Sequence, residues 1–261
     1  MGKAARVKAR DKQTGPESAR VAFGYVHPDQ VSVLFHTSFM QTILYDKATS
    51  NRIVGGAAKF SSANISNARN EVVRQFLAMP SKPEWLWMVD TDMEWEADAL
   101  DRLLLSAYDD DGTLKARIVG GLCFGVHDGA LWPTLYALDY DDSGEIGVFR
   151  YNEYPRPEAD EDCMFQVAAT GAAFLLIHRD VLEQMEQRGF NKTYPWFQEV
   201  ELQGKPCGED FTFCLRAGQL DHAVWVNTAV RIGHHKSYVL KESMYLEQRG
   251  QPRDIRTEEV A

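Results

Sequence analysis

Asp90 and Asp92, separated by Thr91, follow five consecutive apolar residues, Trp85, Leu86, Trp87, Met88 and Val89. Two hard carboxylates at this spacing suit a divalent cation that keeps open positions for phosphate oxygens. The apolar run, bounded by Pro83 and by the acids, reads as a strand buried on both faces. Side chains alternate along an extended chain, so both acids can point to one side where the strand leaves its sheet. In open α/β sheets that carboxyl edge is where ligands bind. Asp109 to Asp111, Asp139 to Asp141 and Asp160 to Asp162 repeat the spacing, but in charged or glycine-flanked stretches that follow no buried strand. The competing reading of Asp90 and Asp92 is a pair of turn and capping acids before a helix at Glu96.

Ser61, Ser62 and Asn64 offer N-caps for a helix running to about Ala78 and closed by Pro80. At 100° per residue Ile65, Ala68, Val72, Val73 and Phe76 form its buried stripe, and Arg69 falls inside the stripe. A guanidinium there needs a partner. An anionic ligand at the sheet edge is one, and an internal salt bridge to a core carboxylate such as Asp90 is the other. Farther on, Gly208-Glu209-Asp210 opens a short helix over 211–217, and Gly233-His234-His235 ends a late strand. Asp210 reads as an N-cap, as a carboxylate able to take a proton, or as both. A lone histidine at a strand end reads first as a structural one.

The remaining pattern alternates strand and helix: a strand over 21–25, helix over 31–45, strand over 52–58, helix over 96–108 and strand over 118–124. This is a doubly wound α/β layer. Residues 125–163 are rich in Gly, Pro, Asp and Tyr and form an irregular insertion. Order returns at 165–177, which Thr170-Gly171 interrupts, and two late strands fit 223–226 and 229–232. Residues 1–19 and 241–261 read as polar or charged tails around one domain over 20–240.

With 261 residues and 44% hydrophobic content the chain can bury a sizeable core. A formal net charge of -10 argues against nucleic-acid binding and favours a cation wherever a diphosphate is bound. Cys123, Cys163, Cys207 and Cys214 lack metal-ligand spacing and read as free thiols of a reducing compartment. No signal peptide or membrane span is legible. The expectation is a soluble, cytoplasmic protein.

The order of motifs resembles metal-dependent glycosyltransferases of the GT-A fold, family 2-like, and related bacteriophage-encoded transferases. The resemblance rests on Ala68-Arg69-Asn70, the strand with Asp90-Thr91-Asp92, Thr170-Gly171, Gly208-Glu209-Asp210 and Gly233-His234, in order over about residues 20–238. It implies a Rossmann-like, mixed but mostly parallel central sheet flanked by helices, with the acceptor side in the 125–163 insertion. It implies Asp92 and His234 as ligands of Mn²⁺ or Mg²⁺, with His235 as the alternative imidazole. Asp90 would help through the metal, water or the donor's ribose. Arg69, Asn70 and Thr91 would lie beside a nucleotide diphosphate, Tyr25 and His27 would border the nucleobase, and Asp210 would be the acceptor-activating base. The donor implied is a nucleotide-diphosphate sugar, UDP foremost, and the acceptor a protein or glycan, a virion protein in a host cytoplasm if phage-encoded. Trp132, Tyr136, Tyr194 and Trp196 are either sugar-stacking platforms or packing residues.

Two other classes compete. A sugar-nucleotide nucleotidyltransferase would carry a glycine-rich, basic phosphate loop after the first strand, where this sequence has Gly24-Tyr25-Val26-His27-Pro28. A non-catalytic nucleotide- or carbohydrate-binding module has no need of both acids, His234 and Asp210 together.

Overall fold

The first five residues of β3 (Trp85–Asp90) alternate between two cores. Trp85, Trp87 and Val89 join one cluster of buried side chains, and Leu86 and Met88 join the other. The apolar run is therefore the middle of a sheet covered on both sides, as its continuous hydrophobicity requires. The structure is a computed structural model and describes residues 15–61, 64–127, 130–140, 146–156, 163–236 and 239–249. Most of the two expected tails, together with Asp141, Asp160 and Asp162, lies outside the described residues.

Before β3 come β1 (Val21–His27), α1 (Val33–Ala48), β2 (Ile53–Phe60) and α2 (Ile65–Ala78). After it come β4 (Met93–Glu94), α3 (Ala99–Ser106) and β5 (Ile118–Leu122), then β6 (Phe124–His127), β7 (Ala130–Pro133), β8 (Leu135–Tyr140) and β9 (Ile146–Arg150). The second half runs β10 (Met164–Val167), β11 (Ala169–Thr170), β12 (Phe174–His178), α4 (Arg179–Arg188), β13 (Val200–Leu202) and β14 (Lys205–Cys207). It closes with α5 (Glu209–Gly218), β15 (Val224–Arg231), β16 (Gly233–His235), β17 (Val239–Leu240) and α6 (Glu242–Gln248).

The main sheet has seven strands in the order β10-β15-β5-β12-β3-β1-β2. β1, β2, β3, β5 and β15 share one direction, and β12 and β10 oppose it. The sheet is mixed and mostly parallel, with helices on its faces, as expected.

Local chemistry explains the helix that matters most for the edge of β3. Asn64 Oδ1 accepts the Asn67 N–H at 2.8 Å, which starts α2. Ala68, Val72, Val73 and Phe76 then pack on the face that carries Leu86 and Met88. A Cβ on Gly24 would meet Leu86 Cδ1 at 2.7 Å and Val72 Cγ1 at 2.8 Å, so α2 approaches β1 this closely only over glycine. That close approach brings the first turns of α2 to the level of Asp90.

Several boundaries differ from the sequence reading. The two late strands are one, because Asn227 and Thr228, which break the apolar pattern, are satisfied inside the protein. Asn227 Nδ2 donates to Ser106 Oγ at 2.6 Å, and Thr228 Oγ1 donates to the Pro155 carbonyl at 2.6 Å. Within the expected C-terminal tail, 242–248 is helical, and Tyr245 is buried against Phe124 and Tyr154. The 125–163 insertion contains two antiparallel pairings, β6 with β7 and β8 with β9.

Candidate functional site at the carboxyl edge of β3

Two charge clusters meet at this edge. The inner one centres on Arg69, which is 3% exposed. Its Nη2 donates to both oxygens of Asp90, at 3.0 and 2.8 Å, and its Nη1 lies 3.2 Å from Glu209 Oε1 at the start of α5. Nε is buried without a hydrogen-bond partner among the described residues. Burial works against the guanidinium charge, but Asp90, Glu209 and Asp210 outweigh it and hold the Arg69 pKa above its ordinary value. The acids are raised in turn. Burial raises Asp90 against the pull of Arg69, with Asp92 and Asp210 adding to the rise, and burial raises Glu209 in the same way.

The outer cluster centres on Asp92, just beyond the strand. Its Oδ2 lies 3.1 Å from His234 Nε2 and accepts from Lys236 Nζ at 3.0 Å. His234 Nδ1 is 2.9 Å from the Phe124 carbonyl oxygen. A carbonyl can only accept, so Nδ1 carries the proton, and Nε2 is the nitrogen presented to Asp92. Protonated, Nε2 donates to the carboxylate; unprotonated, it presents a lone pair beside Asp92 that a cation could share with the carboxylate. Burial pushes Asp92 up, but His234 and Lys236 more than offset it and hold this carboxyl below its ordinary value.

Backbone pairing delivers these groups. β16 pairs with β4, and the His235 N–H donates to the Asp92 carbonyl at 2.7 Å, which carries His234 to the edge of β3. His235 turns elsewhere, with Nδ1 3.1 Å from Ser32 Oγ. Among the described residues no group of three or more His, Cys, Asp or Glu forms a metal cage. Asp92 and His234 fit instead a cation that takes the rest of its ligands from a bound phosphate and water. Asp90, with both oxygens held by Arg69, is engaged in an internal salt bridge.

The other expected residues divide. Asn70 is fully buried and does not face the edge. Its Nδ2 donates to the Ser66 and Phe197 carbonyls at 2.6 and 2.7 Å, and its Oδ1 accepts the Trp196 N–H at 3.3 Å. With donor and acceptor both engaged, it tethers the 196–197 segment to α2 and has nothing left for a nucleotide. Thr91 is buried, and its carbonyl accepts the Ser32 N–H at 3.1 Å. Tyr25 and His27 sit half-buried at the end of β1, where Val26 pairs with Asp90. Their rings lie 5.7 Å apart, Tyr25 is 5.6 Å from Phe35, and His27 is 6.0 Å from Phe60.

Asp210 stands in the first turn of α5, and its Oδ1 accepts the Phe211 N–H at 2.7 Å. A Cβ on Gly171 would lie 3.6 Å from Asp210 Oδ2, an ordinary contact distance, so the backbone at Gly171 runs beside this carboxylate. The same connection also receives a hydrogen bond from the other acid's backbone: Ala173 O accepts the Asp90 N–H at 2.8 Å. Of the four aromatics, Trp196 is core, fully buried with Nε1 donating to the Leu182 carbonyl at 2.8 Å. Tyr136 lines a cavity beside Asp210. Sequence reasoning missed Glu209 and Lys236 as members of the edge. Glu209 was adjacent to a chosen residue and Lys236 two positions beyond another, which is the only signal either gave.

The cysteines are free thiols, two of them buried, Cys123 and Cys214. No described helix is long and apolar enough to cross a membrane.

No family model matches this chain, and no curated protein matches it in sequence. Solved structures do. The structure of GalNAc-T7 with UDP, GalNAc and Mn²⁺ is similar over 83% of this chain, at 14% identity and a TM-score of 0.51. The fold is GT-A-like. The chain spans 44% of the length of that protein. A197 from STIV is similar over 86% of this chain and 91% of its own, at 15% identity and a TM-score of 0.45. A glycosyltransferase involved in glycosylation of the major capsid of PBCV-1 is similar over 66% of this chain and 67% of its own, at 9% identity and a TM-score of 0.33. These last two likenesses are too distant in geometry to add to the first.

Proposed function

We propose that this protein is a glycosyltransferase that moves a sugar from a nucleoside-diphosphate sugar, with UDP as the nucleotide, to an acceptor hydroxyl. The observation that carries the reading is the meeting of Asp92 Oδ2 and His234 Nε2, 3.1 Å apart at the ligand edge of a GT-A-like sheet. GalNAc-T7, whose fold this chain resembles, holds UDP and Mn²⁺ in its structure.

Asp92 and His234 would hold Mn²⁺ or Mg²⁺. When bound, such an ion withdraws charge from the departing diphosphate. Lys236, on the same carboxylate oxygen, adds a second positive charge on the side where the leaving group develops its negative one. The half-buried rings of Tyr25 and His27 offer a stacking surface for the base. Asp210, at the start of α5, takes the proton of the acceptor hydroxyl as its oxygen bonds to the sugar. Arg69 neutralises Asp90 and anchors Glu209, and so fixes the start of α5 relative to β3.

The test is a thermal-shift screen of UDP and UDP-sugars with and without Mn²⁺, followed by assays of donor hydrolysis. Selective binding raises the stability of the folded state, so UDP with Mn²⁺ should raise Tm where neither alone does. Asp92→Asn and His234→Ala should each abolish the metal-dependent part of that shift and of hydrolysis. If both variants keep them, the site is wrongly assigned. Asp210→Asn should retain UDP binding and lose transfer by roughly 10²- to 10⁴-fold.

A further inference from the structure

α1 exposes apolar side chains where a surface helix ordinarily carries polar ones. Val33 is 71% and Leu44 65% exposed, and Met40 is exposed between them. At 100° per residue Val33, Thr37, Met40 and Leu44 fall within about 60° of arc, one stripe along the helix. Thr37 Oγ1 donates to the Val33 carbonyl at 2.9 Å, so the stripe's hydroxyl is satisfied within the helix. The opposite side does the structural work. There Ser38 Oγ accepts the Trp95 N–H at 3.0 Å, Thr42 Oγ1 accepts from Trp95 Nε1 at 2.9 Å, and Asp46 accepts the Arg52 and Ile53 N–H groups at 2.8 and 3.1 Å. Asp46 is the one acid of α1, so the outer face carries no carboxylate in a chain of net charge -10. Acids do border the helix: Asp29 is exposed in the turn before it, and Asp98 and Asp101 lie near Tyr45, Asp101 paired with Arg52.

The chain itself brings cations to this face. Residues 1–14 hold Lys3, Arg6, Lys8, Arg10 and Lys12 against Asp11 alone. They join the described chain at the far end of α1, where the Pro16 carbonyl accepts from Arg52 Nε at 3.0 Å and the Arg52 N–H donates to Asp46. Fourteen residues reach at most about 50 Å, against roughly 24 Å for the 16 residues of α1. We propose that the outer face of α1 docks on an anionic lipid membrane, the helix lying flat with its stripe at the acyl boundary and the five cations among the headgroups. A second copy fits this face less well. Two such helices would cover about 250 Å² on each side, far below the roughly 800 Å² of a stable interface, and would bring two sets of like charges together. Ser32, between the exposed Val31 and Val33, ties the helix start to the candidate site: its N–H donates to the Thr91 carbonyl at 3.1 Å and its Oγ lies 3.1 Å from His235 Nδ1. A docked chain therefore holds the Asp92 edge beside the headgroups. The docking goes beyond the glycosyltransferase reading and does not depend on it.

The test is cosedimentation of the full chain with vesicles of equimolar phosphatidylserine and phosphatidylcholine, and with vesicles of phosphatidylcholine alone. The mixed vesicles should bind more tightly by about tenfold or more, and added salt should weaken them. Lys3→Gln, Arg6→Gln and Lys8→Gln together should lose about a hundredfold, since each basic residue near such a surface contributes about fivefold. Val33→Glu with Leu44→Glu should lose about tenfold or more by removing the apolar contact. These two side chains are exposed, so that variant should keep the wild-type Tm, which reports that it folds. Failure to bind the mixed vesicles, or binding untouched by the two glutamates, overturns the proposal. A dimer in sedimentation equilibrium that Leu44→Glu dissociates, in a chain that ignores vesicles, overturns it in favour of a second copy.

Discussion

Asp90 and Asp92 stand two residues apart on one sheet edge, and their surroundings push them in opposite directions. Asp90 faces inward onto a buried guanidinium shared with Glu209, and burial holds its carboxyl above the ordinary range. Asp92 faces outward onto an imidazole and an exposed ammonium, which hold its carboxyl below that range. The inner cluster has two acids around one cation with little room for anything else. The outer one offers ligand atoms that water, a cation or a phosphate can reach. A spacing that reads as one motif is here divided between a buried salt bridge and a partly exposed one.

The largest effect should come from removing the inner cation. Arg69→Leu leaves Asp90 and Glu209 buried and unpaired, and should cost about 3–5 kcal/mol in urea denaturation. A loss under about 1 kcal/mol would mean that the inner cluster does not hold the edge together. Asp92→Asn should reverse the pattern, abolishing metal-dependent donor hydrolysis with a stability change within about 1 kcal/mol, because its partners are partly exposed.

Acid titration separates the two acids by sign. Asp92 has a folded pKa below its ordinary value of 3.8, so its pairing contributes stability that is fully present above 3.8 and lost as pH falls through the folded value. The stability difference between wild type and Asp92→Asn should therefore shrink below pH 3.8. Asp90, with a folded pKa above 3.8, binds its proton sooner folded than unfolded. Acidification from the folded value down to 3.8 therefore favours the folded state at this residue, and Asp90→Asn should remove that gain. The smallest effect on stability and metal affinity belongs to Lys236→Ala. The ammonium competes for the same Asp92 oxygen as a cation, so its loss should tighten Mn²⁺ binding a fewfold by calorimetry and leave stability within about 1 kcal/mol.

The buried strand, the Arg69 helix and the mostly parallel sheet were legible because each rests on a periodicity that a core enforces. The convergence of Asp92 with His234 was legible only through the order of motifs, since nothing in the local sequence pairs residues 142 positions apart. The engagement of Arg69 by Asp90 was one of two partners that the helix stripe allowed, and the stripe could not choose between them. Asn70 misled because a polar residue beside a chosen arginine looks like a ligand, whereas its amide ties down a loop 127 positions away. Glu209 and Lys236 gave no pattern of their own. The antiparallel course of β12 was also hidden, because strand direction follows from the path of the connection and not from the composition of the strand.

The separation between Asp92 and His234 also orders events in time. At about 5–20 residues per second of synthesis, the imidazole emerges roughly 7–28 s after the carboxylate. Arg69 precedes Asp90 by only 21 positions, so that pair is available almost at once. The nascent chain can neutralise its inner acid early, while the outer ligand pair exists only after β16 reaches β4. The outer pair therefore assembles well after the residues of the inner pair are in place.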